Sequence, residues 1–114
     1  MYFRDNRIHI RKGTIAALGN PHHVHLHVNE KKKQLFIEPC DKDKDTFRIY
    51  YKKDDETDEE NPMRCYINAK RVLDYLSKLI GVDRYSESLR FYGEMIEEEN
   101  VLYINLTNYE VIPY

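Results

Sequence analysis

Between His23 and Lys52 the chain alternates apolar and polar residues through three runs broken by two polar turns, HVHLHVNEKKKQLFIEPCDKDKDTFRIYYK. Strict alternation demands extended backbone with one buried face, and it fixes register as well. The turn Glu30 to Lys33 sets Asn29 opposite Gln34, Val28 opposite Leu35, Leu26 opposite Ile37 and Val24 opposite Pro39. The other face receives His27 with Phe36, His25 with Glu38 and His23 with Cys40. A second turn, Asp41 to Asp45, predicts a third strand beside the second, with Ile49 next to Ile37, Arg48 next to Glu38 and Tyr50 next to Phe36. A slip of one residue would turn every apolar group outward. The expectation is therefore a three-stranded antiparallel meander.

The rest of the chain supplies the same parts again. RIHIR, residues 7–11, reads as a short strand, and KGTIAALGNP as a short helix with Ile15 and Leu18 inward, ended by Gly19 and Pro21. Residues 53–62, KDDETDEENP, carry charge and no core residue, which predicts a solvated connector. Cys65 to Asn68 then reads as a strand. Asn68 is a suitable N-cap for a helix through about Ile80, with Val72, Leu73, Leu76, Leu79 and Ile80 on one face and Gly81 as the stop. Residues 88–95 and 101–106 form a hairpin with Met95 opposite Leu102, Gly93 opposite Ile104 and Phe91 opposite Leu106. The tail YEVIPY supplies a last short strand. Val24, Val28, Leu35 and Ile37 align with Phe91, Met95, Leu102 and Ile104 at one constant offset. The expected fold is α+β: one domain, 1–114, made of two duplicated β-α-β-β-β units (7–52 and 64–114) with mainly antiparallel sheets and two helices.

Two such units in this length resemble one domain of a DNA sliding clamp, with IHIRKGTIAALG and YINAKRVLDYLSKLIG as the strand–helix openings. The resemblance implies the fold more than the ring function, since a clamp ring joins several such domains. The stretch VHLHVNEKKKQLFIEPC also resembles small uncharacterised bacterial and mobile-element proteins, which carry no function to transfer.

A strongly basic chain would point to nucleic acid; a formal net charge of -2 does not, and it leaves room for a local basic patch. The two cysteines, Cys40 and Cys65, have no metal-type spacing. With no signal peptide and no long apolar run, the expectation is a cytoplasmic protein with reduced thiols and no membrane partner.

Three constellations could carry function. Alternate strand residues lie about 6.8 Å apart, so His23 and His25 with Glu38 and Cys40 form a compact metal-capable set. The bland reading is a polar outer face in which Glu38 pairs with Arg48 and His25. His27, Phe36 and Tyr50 share that face, as an exposed partner surface if no helix covers it and as core if one does. Arg11, Lys12, Lys70, Arg71 and Lys78 lie on or beside the helices, where a clamp-like domain would meet phosphates without reading sequence. No phosphate-binding glycine loop or nucleophile elbow occurs, and nothing in the spacing brings Cys65 to a histidine. The expected function is a non-enzymatic module without cofactor that binds a protein or a second copy of itself. The alternatives are sequence-independent nucleic-acid binding through the helix cations and metal binding on the histidine face.

Overall fold

The computed structural model describes residues 1–51, 65–83 and 87–113. The expected acidic connector, 53–62, lies outside them. In chain order the elements are β1 (Tyr2–Arg4), β2 (Arg7–Ile10), α1 (Lys12–Ala17), β3 (His23–Asn29), β4 (Gln34–Cys40), β5 (Phe47–Arg48), β6 (Tyr50–Tyr51), β7 (Cys65–Asn68), α2 (Lys70–Ile80), β8 (Glu87–Ile96) and β9 (Val101–Pro113).

The strands form one antiparallel sheet in the order β5-β3-β4-β9-β8-β1-β2-β7-β6. Its two end strands, β5 and β6, are separated by Ile49 alone. The sheet therefore curls until its ends meet, giving a nearly closed barrel. At the seam the Ile49 N–H donates to the His22 carbonyl at 2.9 Å. A barrel of about eight strands is just wide enough to be filled by its own side chains. Here Phe3, Ile8, Ile37, Ile67, Leu89 and Ile104 fill it, each at most 1% exposed.

Both helices contribute to that same core, through Ile15 and Leu18 of α1 and Leu73 and Leu76 of α2. They lie on the face of Ile37 and Ile104, which leaves the face of His27 and Phe36 outward. Each helix stops where the backbone turns left-handed, at Gly19 (φ 89°) after α1 and Gly81 (φ 76°) after α2. The Val82 N–H then reaches back to the Ser77 carbonyl at 3.0 Å, satisfying a terminal acceptor.

The β3–β4 register is the one the alternation specifies, from His23↔Cys40 to Asn29↔Gln34. The third strand departs from expectation. β5 pairs with β3, through Val24↔Phe47 and His23↔Arg48, and not with β4. The other edge of β4 is taken by β9, through Gln34↔Asn105 to Ile37↔Leu102. A long strand offers β4 more ladder bonds than a two-residue strand can. The 41–46 turn, closed by the Thr46 hydroxyl to the Asp43 carbonyl at 2.8 Å, carries the chain to the far side of β3. The expected pairs Glu38–Arg48 and Phe36–Tyr50 are therefore not formed.

Two further corrections have local causes. Asn68 does not cap α2, because it is still paired with Arg7 in the sheet and its Oδ1 accepts from Arg7 Nε at 3.2 Å. Ala69 is the N-cap residue and gives no side-chain hydrogen bond. In the last hairpin Met95↔Leu102 and Gly93↔Ile104 form as expected, but Phe91 faces Tyr109 across a register shift and not Leu106. Leu106 instead donates its N–H to the Lys33 carbonyl at 2.9 Å, and Asn105 Oδ1 takes the Thr107 N–H and hydroxyl. The tail 109–113 continues β9 as its pairing with β8 resumes.

Strand β1 was not anticipated by the alternation. It joins β2 through a two-residue turn in which Asp5 (φ 54°) and Asn6 (φ 62°) are both left-handed. That turn matches the twist of a hairpin, and Asp and Asn are among the residues that tolerate it.

Candidate functional site

The outer wall of the barrel divides into two halves with different chemistry. The first spans β3, β4, β9 and the turn end of β8. Register places His27, Phe36, Tyr103 and Glu94 in one row across these strands. The Phe36 and Tyr103 rings are tilted against each other with centroids 5.4 Å apart. His27 Nε2 lies 3.6 Å from Glu38 Oε1, and the His25 and His27 rings are 5.7 Å apart. Of the expected patch His27, Phe36 and Tyr50, the structure thus brings the first two together and supplies Tyr103 as the third. Tyr50 is on β6, stacked on Tyr66.

Metal chemistry finds no centre here. His23 faces Cys40 and His25 faces Glu38 as the register requires, but among the described residues no three His, Cys, Asp or Glu side chains converge on a common point. The Cys40 thiol is pushed up by desolvation first and then by Asp41, Glu38 and Asp43. Burial likewise pushes up the Cys65 thiol. Both shifts run opposite to the activation a thiolate nucleophile or ligand needs.

The second half spans the rest of β8 with β1, β2, β7 and β6. Register places Arg90, Tyr2, His9, Tyr66 and Tyr50 in one row. Arg48 follows Tyr50 across the seam, on β5. Tyr50 and Tyr66 are stacked, centroids 5.2 Å apart with an interplanar angle of 12°. Guanidinium groups lie over the rings: Arg7 over Tyr66 at 4.2 Å, Arg48 over Tyr50 at 5.1 Å, and Arg90 near Tyr92 at 5.3 Å and Tyr2 at 5.7 Å. Such contacts are favourable and orient both partners. The Tyr92 hydroxyl donates to Glu110 Oε1 at 2.8 Å, which is the main reason its ionisation is pushed up. Tyr92 is nonetheless 52% exposed and Tyr50 36%.

Beside the β8–β9 register shift lies a cavity of about 340 Å³. Its floor is apolar, from Ile10, Phe91 and Leu102, while Arg11, Thr14, Arg90 and Tyr92 supply polar groups. Arg11 is thereby the one member of the expected helix set that meets the arginine–tyrosine row. Lys70 is paired with Asp74 at 3.1 Å. Arg71 and Lys78 are exposed on α2, and Lys12 is exposed at the start of α1.

Sequence reading missed the arginine–tyrosine row because its members come from five separate strands, four of them only two to four residues long. The signal that could have found it is YFRDNRIHI, where Asp5 and Asn6 sit between two alternating runs. No family model, curated protein or solved structure matches this chain.

Proposed function

We propose that this protein is a non-enzymatic binding module that works through the outer face of its barrel, making protein–protein contacts with a second copy of itself as the first partner to test. The observation that carries this reading is the row His27, Phe36, Tyr103 and Glu94. Its central aromatic pair is half-buried and rimmed by polar and ionisable side chains, the arrangement in which a few aromatic residues supply most of an interface's energy. The raised thiols of Cys40 and Cys65 support the non-enzymatic part. Pairing through open strand edges gains little support, because the end strands β5 and β6 are two residues each and adjoin through Ile49. Light scattering over a concentration series tests the reading. The mass should rise towards that of two copies and fall back in Phe36→Ser. A constant monomer mass at millimolar concentration would overturn it.

The proposal includes an internal repetition, and with it the clamp likeness at the level of repeated sheet-and-helix units. The pairs Leu35↔Ile104 and Ile37↔Leu102 exchange places when 35 is matched to 102 and 37 to 104. Ile49 lies beside β3 as Phe3 lies beside β8, both buried. These pairings favour a strand–strand–helix–hairpin repeat over the β-α-β-β-β unit. A superposition of 24–37 on 91–104 that left β2 and β7 unrelated would sink it. Duplex binding by the helix cations draws no comparable support, since Lys70 is engaged by Asp74.

A further inference from the structure

We infer that the arginine–tyrosine half of the outer wall is a binding surface for single-stranded nucleic acid. This is separate from the self-association reading, which uses the opposite half of the wall. A ligand for this surface must satisfy flat aromatic rings and guanidinium groups together. Single-stranded nucleic acid does both, because each nucleotide carries a base to stack and a phosphate to neutralise.

The geometry favours it in three ways. First, the row from Arg90 to Tyr50 crosses five adjacent strands, a span of about 19 Å at the spacing of strands in a sheet. Sheet surfaces of this kind stack about two or three bases on their aromatic side chains. Second, a guanidinium lying over a ring uses its π face there and leaves its in-plane N–H groups for phosphate oxygens. Arg48 stands in that relation to Tyr50, and Arg7 to Tyr66, with Arg7 Nε given to Asn68 and its terminal N–H groups left for a phosphate. Third, the row ends at the cavity where Arg11 and Arg90 flank an apolar floor, which gives one base a pocket and its phosphate two cations.

Charge distribution sharpens the choice. On this half Glu110 lies 4.0 Å from Arg90 and Asp5 3.8 Å from Arg4. The opposite half carries Glu38 and Glu94. In a chain of net charge -2, Arg7, Arg11, Arg48 and Arg90 are thus gathered along this half.

Fluorescence anisotropy of labelled dT12 and rU12 strands, with a duplex of the same length as control, tests this directly. Single strands should bind more tightly than duplex. The affinity should fall with salt with a log–log slope of about -2. Tyr50→Ala and Tyr92→Ala should each weaken binding about tenfold while the protein stays folded by circular dichroism. Arg48→Ala should flatten the salt slope by about 0.7. Phe36→Ser, and Tyr75→Ala on α2, should leave binding unchanged, which separates this site from the self-association face. No binding by folded protein at low salt would overturn the proposal. So would equal affinity for duplex, full affinity in both tyrosine variants, or equal affinity for poly-glutamate, which would point to an acidic protein partner.

Discussion

The β3–β4 and β8–β9 hairpins have turns of equal length and the same handedness at the last turn residue, Lys33 (φ 51°) and Asn100 (φ 52°). They behave differently beyond the turn. The first keeps one register through seven pairs. The second shifts between Phe91 and Gly93. The difference traces to size and space: β8 places a phenylalanine where β3 has Val24, and a glycine where β3 has Leu26. An uninterrupted alternation of medium residues holds register by itself, whereas a large–none pair of neighbours lets the strand bend.

Large-to-small substitution should break the comparison most strongly. Phe91 is 1% exposed and packs against Phe3 with centroids 4.5 Å apart. Phe91→Ala should cost about 3–5 kcal/mol in urea unfolding, and Val24→Ala about 1–3 kcal/mol. Equal costs would mean that the two hairpins contribute alike and the ring pair does not matter.

Restoring a side chain at the bend should cost less. A Cβ on Gly93 would sit 2.8 Å from Leu102 Cδ1, and Leu102 is 2% exposed with little room to swing. Gly93→Ala should destabilise by about 1–3 kcal/mol in the same assay. A neutral or stabilising result would show that Leu102 has another rotamer to use.

The same contrast explains what could be read from sequence. Inner-face residues such as Leu35, Ile37, Leu102 and Ile104 announce themselves by parity, so both hairpins and both helix faces were legible. Strand partners are not set by parity. Nothing in 47–51 says which edge it joins, because Ile49 is apolar beside either β3 or β4. The choice depends on β9, more than fifty residues away in sequence. The histidine face could be read because it lies on one strand pair. The arginine–tyrosine row could not, because its register passes through β1, β2, β7 and β6 in turn.

Titration gives a smaller discriminator. Cys40 ends the first hairpin, and Thr107 stands at the corresponding place in the second. The raised Cys40 thiol means that the folded chain holds its proton more tightly than the unfolded chain does. That contribution is fully present below the ordinary thiol range and is lost as pH rises through the raised value. Cys65 shares the sign because burial disfavours its thiolate. Above about pH 8, where the partly buried Met1 amine with its opposite sign is neutral in both states, urea midpoints should therefore fall as pH rises, and Cys40→Thr should make the fall shallower. A midpoint that keeps rising above about pH 8 would contradict the assigned cause.

The smallest effect should come from metal. Zinc, nickel or cobalt added to chelator-treated protein should leave the thermal midpoint unchanged, since His23, His25, Glu38 and Cys40 do not converge. A stabilisation lost in His25→Ala and Cys40→Ser would instead place a metal site on the first hairpin.

The seam at Ile49 has a kinetic consequence. The two ends of the sheet are held there by the chain itself and by few ladder bonds, with β5 and β6 two residues each. Local opening should therefore start at residues 47–51, and amide hydrogen exchange should be fastest there among the strands. Opening at this one place would bare the edges of β3 and β7 together, turning a closed wall into a template for pairing with other chains. The fully buried Ile49 side chain is what holds that door shut, so its loss should accelerate aggregation more than its contribution to global stability suggests.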